Sequence, residues 1–209
     1  MVRIIAGRAG GRRFNAPAGS RTRPTSDRVR EAVFSAAVDW ADRVDEPPES
    51  ALAQIAWLDL YAGSGAIALE AASRGAAPVL AVEADRGTAT GIERAAAELS
   101  LGVQSRAARV GTVLAGPAPQ RYDVVWADPP YDVPDATIAA HLQQLVAGGW
   151  LAETALLVLE RDRHSTIAWP PGVDPVWERR YGGTTVHFGH WDALAQPGPA
   201  TSEPAESES

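Results

Sequence analysis

From Ala56 onward, short apolar runs alternate with alanine-rich stretches, and this alternation limits the possible folds more than any other feature of the chain. The strand-like runs are Ala56–Tyr61, Pro78–Glu83, Gln104–Ala108, Tyr122–Ala127, Ala155–Glu160, Val176–Tyr181 and Thr184–Trp191. Helical stretches fall at Ala66–Arg74, Arg86–Leu99, Val110–Leu114 (short) and Asp135–Ala147. Repeated strand–helix alternation builds an α/β fold, a mostly parallel sheet with helices on both faces. Only Gly182-Gly183 separates the last two runs, which suits a hairpin and not a crossover.

The ends of the chain differ from this block. Residues 1–30 hold eight arginines and one acid, Asp27, for a charge of +7. The remainder carries 11 basic and 25 acidic side chains, or −14, so the net charge of −7 hides a basic arm on an acidic domain. Val2–Ala6 and Arg12–Phe14 flank a glycine-rich turn and predict a small hairpin. Thr25-Ser26-Asp27 offers N-cap residues for a helix over about Arg28–Arg43, with Val29, Val33, Phe34 and Val38 at helical spacing. Asp45–Ser50 holds two prolines and reads as a linker, and the Pro/Ser/Glu-rich end from about Ala193 reads as a disordered tail. The expected organisation is therefore a basic extension over 1–30, one catalytic domain over 31–192 and an acidic tail over 193–209. At 209 residues, 45% of them hydrophobic, the chain suits one domain with small additions.

Several classes of function drop out. With no cysteine there is no disulfide, cysteine metal site or thiol nucleophile. The start, MVRIIAGRAGGRRF, lacks an apolar signal segment, and no apolar run is long enough to cross a bilayer, so a cytoplasmic protein is expected. The four histidines are scattered, with His187 and His190 on opposite faces of one strand, and no metal site is expected.

The first strong strand runs into Asp59-Leu60-Tyr61-Ala62-Gly63-Ser64-Gly65, which opens a helix. Gly63 and Gly65 permit a tight turn and a close backbone approach, and the helix start supplies free amide donors. Glu83 ends the next strand, where a carboxylate accepts two ribose hydroxyls. A lone Gly-Ser-Gly is more often a plain turn, and Glu83 alone could simply sit at a helix start. Together, at consecutive strand ends, they favour a site for an adenosyl ligand. The third glycine of the dinucleotide fingerprint is missing, since Ile67-Ala68 stand there, which weakens a nicotinamide reading.

Tyr122–Ala127 runs directly into Asp128-Pro129-Pro130-Tyr131. Two prolines fix the backbone and remove two amide donors. The carbonyls of Asp128 and Pro129 are then free to point at a ligand, and the Asp128 carboxylate is a further acceptor. An exocyclic amine has two N–H donors, which two convergent acceptors match. Tyr131 offers a flat face for a base to stack on. The bland reading is a stiff turn plugged by Tyr131; the donor loop upstream argues against it.

These segments resemble the RsmD-type methyltransferases, from Arg3 to about Trp191. The shared stretches are RIIAGRAGGRRF, TRPTSDRVREAVF, DLYAGSGAIALEAASRGA, VEADR, ADPPY and GGWLAE. The resemblance implies a class I, Rossmann-like, seven-stranded sheet whose final strand is antiparallel. It implies S-adenosylmethionine as methyl donor and S-adenosylhomocysteine as product. It implies a monomer acting, away from membranes, on the N2 amine of one guanine (guanine 966) in 16S ribosomal RNA, in a small subunit or an assembly intermediate. Carried over, Asp59, Tyr61, Gly63, Ser64 and Gly65 hold the donor with Glu83 and Ala84, while Val110, Thr25 and Asp128 complete its pocket. Asp128, Pro129, Pro130 and Tyr131 hold the target base. One departure is Arg109-Val110-Gly111, where related enzymes often place an acid or amide near adenine. Arg3, Arg8, Arg12, Arg13, Arg21, Arg23 and Arg28 are expected on RNA phosphates, as a flexible arginine arm. The rival readings are a DNA adenine-N6 methyltransferase, for whose sequence-reading domain the chain has little room, a protein glutamine methyltransferase, where Asn commonly replaces Asp128, and a non-catalytic RNA-binding protein with a vestigial fold.

Overall fold

The computed structural model describes residues 1–15 and 25–195. Two short strands, β1 (Val2–Arg3) and β2 (Arg13–Phe14), precede α1 (Asp27–Trp40). Then come β3 (Trp57–Leu60), α2 (Ala66–Ser73), β4 (Val79–Glu83), α3 (Arg86–Leu99), β5 (Val103–Ala107), α4 (Val110–Leu114), β6 (Tyr122–Ala127) and α5 (Asp135–Ala147). Three long strands follow: β7 (Leu151–Asp162), β8 (Val173–Tyr181) and β9 (Thr184–Asp192).

Seven of these strands form one sheet in the order β5-β4-β3-β6-β7-β9-β8. Strands β3 to β7 are mutually parallel. β9 enters between β7 and β8 antiparallel to both, as expected of the last strand. The chain winds outward from β3 to β5, then crosses back to lay β6 on the other side of β3. The crevice at that reversal, outside the carboxyl ends of β3 and β6, is where open α/β sheets bind ligands.

Strand periodicity divides the core. Trp57, Val124, Trp126, Leu156 and Val158 face one layer, with α1, α2 and α3. Leu58, Leu60, Val125, Ala127, Leu157 and Leu159 face the other, with α4 and α5. Alternate residues point to opposite faces, so Asp128 and Glu160 fall by parity on the α1 side. Arg161 falls on the α5 side.

The helix boundaries follow their caps. Ser26 is extended and its hydroxyl accepts from the Val29 amide at 3.3 Å, starting α1. Asp85 does the same for α3, accepting from the Thr88 amide at 2.7 Å. β7 begins four residues before its apolar run. Leu151 pairs with Tyr122 across a register irregularity, and the exposed Glu153 and Thr154 give that stretch a polar look. β8 likewise starts before Val176. It is an edge strand, so it tolerates Pro175 beside an irregularity.

The N-terminal segment keeps the expected hairpin, with β1 antiparallel to β2, but not the expected freedom. Over the described residues 1–15 it is no free arm. Ile5 and Ala6 donate their amides to the two carboxylate oxygens of Glu70 on α2, at 2.7 and 2.9 Å. Glu70 is fully buried and also meets Arg74 at 3.0 Å and Arg30 at 3.8 Å. Ser73 accepts from the Ala9 amide and donates to the Ala6 carbonyl at 2.6 Å. Ile4 and Phe14 join the α1–α2 core layer. A buried carboxylate with this many donors fixes the segment, because removing it strands a buried arginine at a cost of about 3–5 kcal/mol. α1 runs straight through the boundary expected at residue 30.

Candidate active site

Three adjoining cavities open at the carboxyl ends of β3, β4, β6 and β7. The largest, about 980 Å³, is lined by Tyr61, Gly63, Glu83, Ala84, Arg109, Val110, Pro130 and His141, among others. A second of about 430 Å³ lies between the N-terminal segment and the glycine loop, against Arg3, Arg13, Thr25, Gly63, Ser64 and Asp128. A third of about 590 Å³ is walled by Asp128 to Asp132, Glu160, Thr25 and the β8–β9 turn from Tyr181 to Thr184. Asp128 lines the second and third cavities, so it stands where they meet.

The first two cavities are shaped by main chain. Gly63 and Gly65 take positive φ values of 52° and 76°. A Cβ on Gly65 would lie 2.8 Å from the Ile92 side chain, so both space and conformation require glycine there. Tyr61 is also left-handed, at 61°, and its hydroxyl meets His141 Nδ1 at 2.6 Å. Burial pushes the Tyr61 phenol up to about 12 and lowers the His141 imidazole. Glu83 accepts from the Gly63 amide at 2.9 Å and the Asp85 amide at 2.8 Å, bracing the loop. Each oxygen keeps a lone pair for a hydroxyl donor. Asp59 is buried and does not line these three cavities. Its carboxylate accepts from the Ala68 amide at 3.0 Å, tying β3 to the start of α2, and burial raises it well above the ordinary range. Gly65 likewise acts through loop shape, behind Gly63 and Ser64.

The third cavity is shaped by side chains. Thr25 Oγ1 donates to Asp128 Oδ2 at 3.3 Å. Burial pushes Asp128 up to about 6, against the Thr25 hydroxyl and the Arg161 charge. Glu160 is pushed up to about 8, by burial first and then by the Asp128 charge beside it. Tyr131 is 58% exposed, and its hydroxyl lies 3.3 Å from Thr184 Oγ1 on the opposite wall.

Arg161 holds the Asp-Pro-Pro-Tyr turn from beneath. Its Nη1 reaches the carbonyls of Pro129 at 3.5 Å and Pro130 at 3.3 Å, and its Nη2 those of Val133 at 3.1 Å and the Asp135 carboxylate at 2.8 Å. The Pro129 carbonyl, expected to face only a ligand, thus has a long contact on its inner side. Glu160, Arg161 and Thr184 carry no motif of their own in the sequence, and His141 reads there only as one of four scattered histidines. For the first two a signal existed: Glu160-Arg161 is a charged pair closing the all-apolar run Ala155–Leu159, at the end of a strand where sites form.

The arginines divide by what they touch. Arg8 Nη2 donates to the Ala72 carbonyl at 3.0 Å, and Arg12 to those of Glu98 and Leu99 at 2.7 and 3.2 Å. Both sit on helix C-termini, where a cation is favoured. Arg3 pairs with Asp27 at 3.2 Å. Arg28 is exposed, 6.0 Å over the Tyr181 ring at the rim of the third cavity. Arg21 and Arg23 lie outside the described residues. So does the expected tail from residue 196. Among the described residues no helix is long and apolar enough to cross a membrane.

The chain is similar to known proteins in sequence and in fold. The family model described as conserved hypothetical protein 95 matches residues 2–190. Ribosomal RNA small subunit methyltransferase D from Escherichia coli K12 is 33% identical over 179 residues, 82% of this chain and 80% of that protein. Its namesake from Haemophilus influenzae is 30% identical over 173 residues, 81% of this chain and 83% of that one. The solved structure of yhhF from Escherichia coli superposes with a TM-score of 0.77 at 28% identity, covering 92% of this chain and 98% of that one. Magnesium protoporphyrin IX methyltransferase from Synechocystis, solved with S-adenosylmethionine, gives a TM-score of 0.58 over 83% of this chain and 88% of that one. At 13% identity that likeness is one of fold, the seven-stranded, mostly parallel sheet expected of a class I methyltransferase.

Proposed function

The chain belongs to the RsmD-type methyltransferase family, and on that footing we propose that it transfers a methyl group from S-adenosylmethionine to the N2 amine of guanine 966 in 16S ribosomal RNA. The observation that carries this reading is the place of Asp128-Pro129-Pro130-Tyr131. It ends β6 at the sheet's reversal, with a donor-sized space on one side and a base-sized space on the other.

The residues suit the donor. Glu83 offers lone pairs for ribose hydroxyls, and Val110 an apolar wall for adenine. Arg3 and Arg13 bring positive charge beside Gly63 and Ser64, which suits a carboxylate, while Asp128 and Thr25 supply acceptors for an ammonium group. When bound, S-adenosylmethionine supplies an electrophilic methyl group on a sulfonium.

The remainder of the chemistry falls to the chain. The amine of guanine is a weak nucleophile because its lone pair is delocalised into the ring. Asp128 and the Pro129 carbonyl accept its two hydrogens, which favours a pyramidal nitrogen and offsets the positive charge that grows there. This support strengthens toward the transition state, where it lowers the barrier. Tyr131 stacks on the base, and Arg161 keeps the turn in place, so that reacting atoms stay in line. Asp128, raised to about 6 by burial, then accepts the departing proton.

The RNA is held by exposed cations around the mouth, Arg28 and Arg13 foremost. The substrate is a small ribosomal subunit or an assembly intermediate, met by a monomer in the cytoplasm. The test is tritiated methyl transfer to small-subunit particles from a strain lacking the enzyme, with the product nucleotide mapped. Label as N2-methylguanine at position 966 is expected. Label on adenine, or none in 16S RNA, would overturn the reading.

A further inference from the structure

Glu160 is the one acidic group in the base cavity, besides Asp128, that is itself buried, and the mechanism above leaves it without work. Its position is set by the sheet. In the β6–β7 register Ala127 stands opposite Leu159, so Asp128 and Glu160 are the next pair along. Parity puts both side chains on the α1 face. Glu160 is 7% exposed, and its buried Oε2 makes no hydrogen bond of ordinary geometry, with only the nearby Thr25 and Thr184 hydroxyls to offset its burial. A buried carboxylate oxygen left unpaired is costly unless a donor arrives. The cavity wall beside it offers mainly the hydroxyls of Thr25 and Thr184. The Arg161 guanidinium, next in sequence, is committed to the other face.

We propose that Glu160 reads the target base, by accepting the N1–H of guanine while Asp128 holds the neighbouring N2 amine. The assignment rests on the guanine-N2 reading above and says how the choice of base is made. Two acceptors side by side match the edge of guanine, where the N1 donor adjoins the N2 donors. Adenine shows a bare N1 lone pair next to its amine, which would face the Glu160 oxygen with repulsion. Asp128 and the two prolines alone cannot tell these bases apart, because both present an amine. Glu160 supplies the missing distinction in its ionised form, which accepts and does not donate; burial favours the neutral acid up to about pH 8, so the preference for guanine is read at pH 8.5 and weakens below it.

The probe is 2-aminopurine, which keeps the N2 amine and has a bare N1. A 16S RNA fragment carrying guanine, 2-aminopurine or adenine at the target position would be methylated by the full chain and by Glu160→Gln and Glu160→Asp. The native enzyme should favour guanine over 2-aminopurine by roughly a hundredfold or more in kcat/KM, as sites that bind a substrate N–H reject analogues lacking it. Glu160→Gln presents an amide that donates to a bare N1, so that preference should fall to within about tenfold, with 2-aminopurine gaining in absolute rate. Glu160→Asp, which keeps the acceptor and the charge, should keep the preference and lose rate. Equal losses on both bases in Glu160→Gln would mean a packing role and overturn the proposal, as would a native enzyme indifferent to the two. A native enzyme that modifies adenine and not guanine would instead overturn the guanine-N2 reading itself. S-adenosylmethionine affinity, measured by calorimetry in each variant, shows that the protein is folded; a variant that lost it would pass the decision to the other.

Discussion

At the end of β3 the chain builds its site from main chain, and at the ends of β6 and β7 it builds from side chains. The loop from Tyr61 to Gly65 works through three left-handed residues and an amide tied to Glu83. The base cavity works through Asp128, Glu160, Thr25 and Thr184, drawn from four separate stretches of sequence and held over a buried arginine. A backbone cradle recognises what every S-adenosylmethionine has in common. A side-chain cradle can be retuned one residue at a time, so on the proposed reading it is the half in which substrate choice resides.

The sharpest break between the halves is Asp128→Ala. Methyl transfer should fall by about a thousandfold or more, while the donor dissociation constant rises by no more than about tenfold, since only the ammonium contact is lost and the loop and Glu83 are untouched. Tritiated transfer and calorimetry give the two numbers. A parallel loss of donor binding would show that Asp128 belongs to both halves in energy as well as in position.

The reverse case is Gly65→Ala. It forces a side chain into φ 76° and into Ile92 at 2.8 Å, so donor affinity should weaken by about ten- to a hundredfold. RNA affinity without donor should stay unchanged in a gel-shift assay. If RNA binding weakened equally, the glycine loop would be shaping the whole crevice.

The two halves were unequally legible in the sequence for the same reason. Gly63, Gly65 and Glu83 lie at the ends of consecutive strands, so their spacing alone announces a loop and an acid at one edge of a sheet. Asp128-Pro129-Pro130-Tyr131 is contiguous and equally plain. Glu160 and Thr25 become neighbours of Asp128 only through the β6–β7 register and the docking of α1, which no local pattern encodes. The N-terminal arginine segment differs in another way. Its charge reads as a solvated phosphate binder, yet Glu70, a single acid inside an alanine-rich helix, pins residues 5 and 6 from 64 to 65 positions away.

Within the base half, Tyr131 separates stacking from hydrogen bonding. Tyr131→Ala should raise KM for the RNA by about tenfold, as loss of one base-stacking ring does. Tyr131→Phe should change it by about twofold or less, because the Thr184 contact of 3.3 Å is long and exposed. Equal effects of the two changes would mean that the hydroxyl, and not the ring, sets the cavity wall.

The smallest effect is on stability, and it follows from the charge stored beside Asp128. Glu160 has a folded value of about 8, above the roughly 4.3 of an unfolded glutamate. The folded state therefore binds the proton more tightly, and Glu160 costs nothing below about pH 4, where it is neutral in both states. As pH rises from about 4 through 8, the unfolded chain ionises freely while the folded chain resists, so stability is lost across that window. Glu160→Gln is neutral at every pH and should escape this loss. Relative to the native chain it should gain at pH 8.5 part of the roughly 5 kcal/mol that these two values span, on the order of 2 kcal/mol once water entering the open cavity is allowed for, a rise of about 4–8 °C in Tm for a domain of this size, shrinking to nothing near pH 4. Thermal melts at pH 4, 6 and 8.5 read this directly. A difference independent of pH would assign the effect to packing and would leave the two carboxyls of the base cavity electrostatically separate.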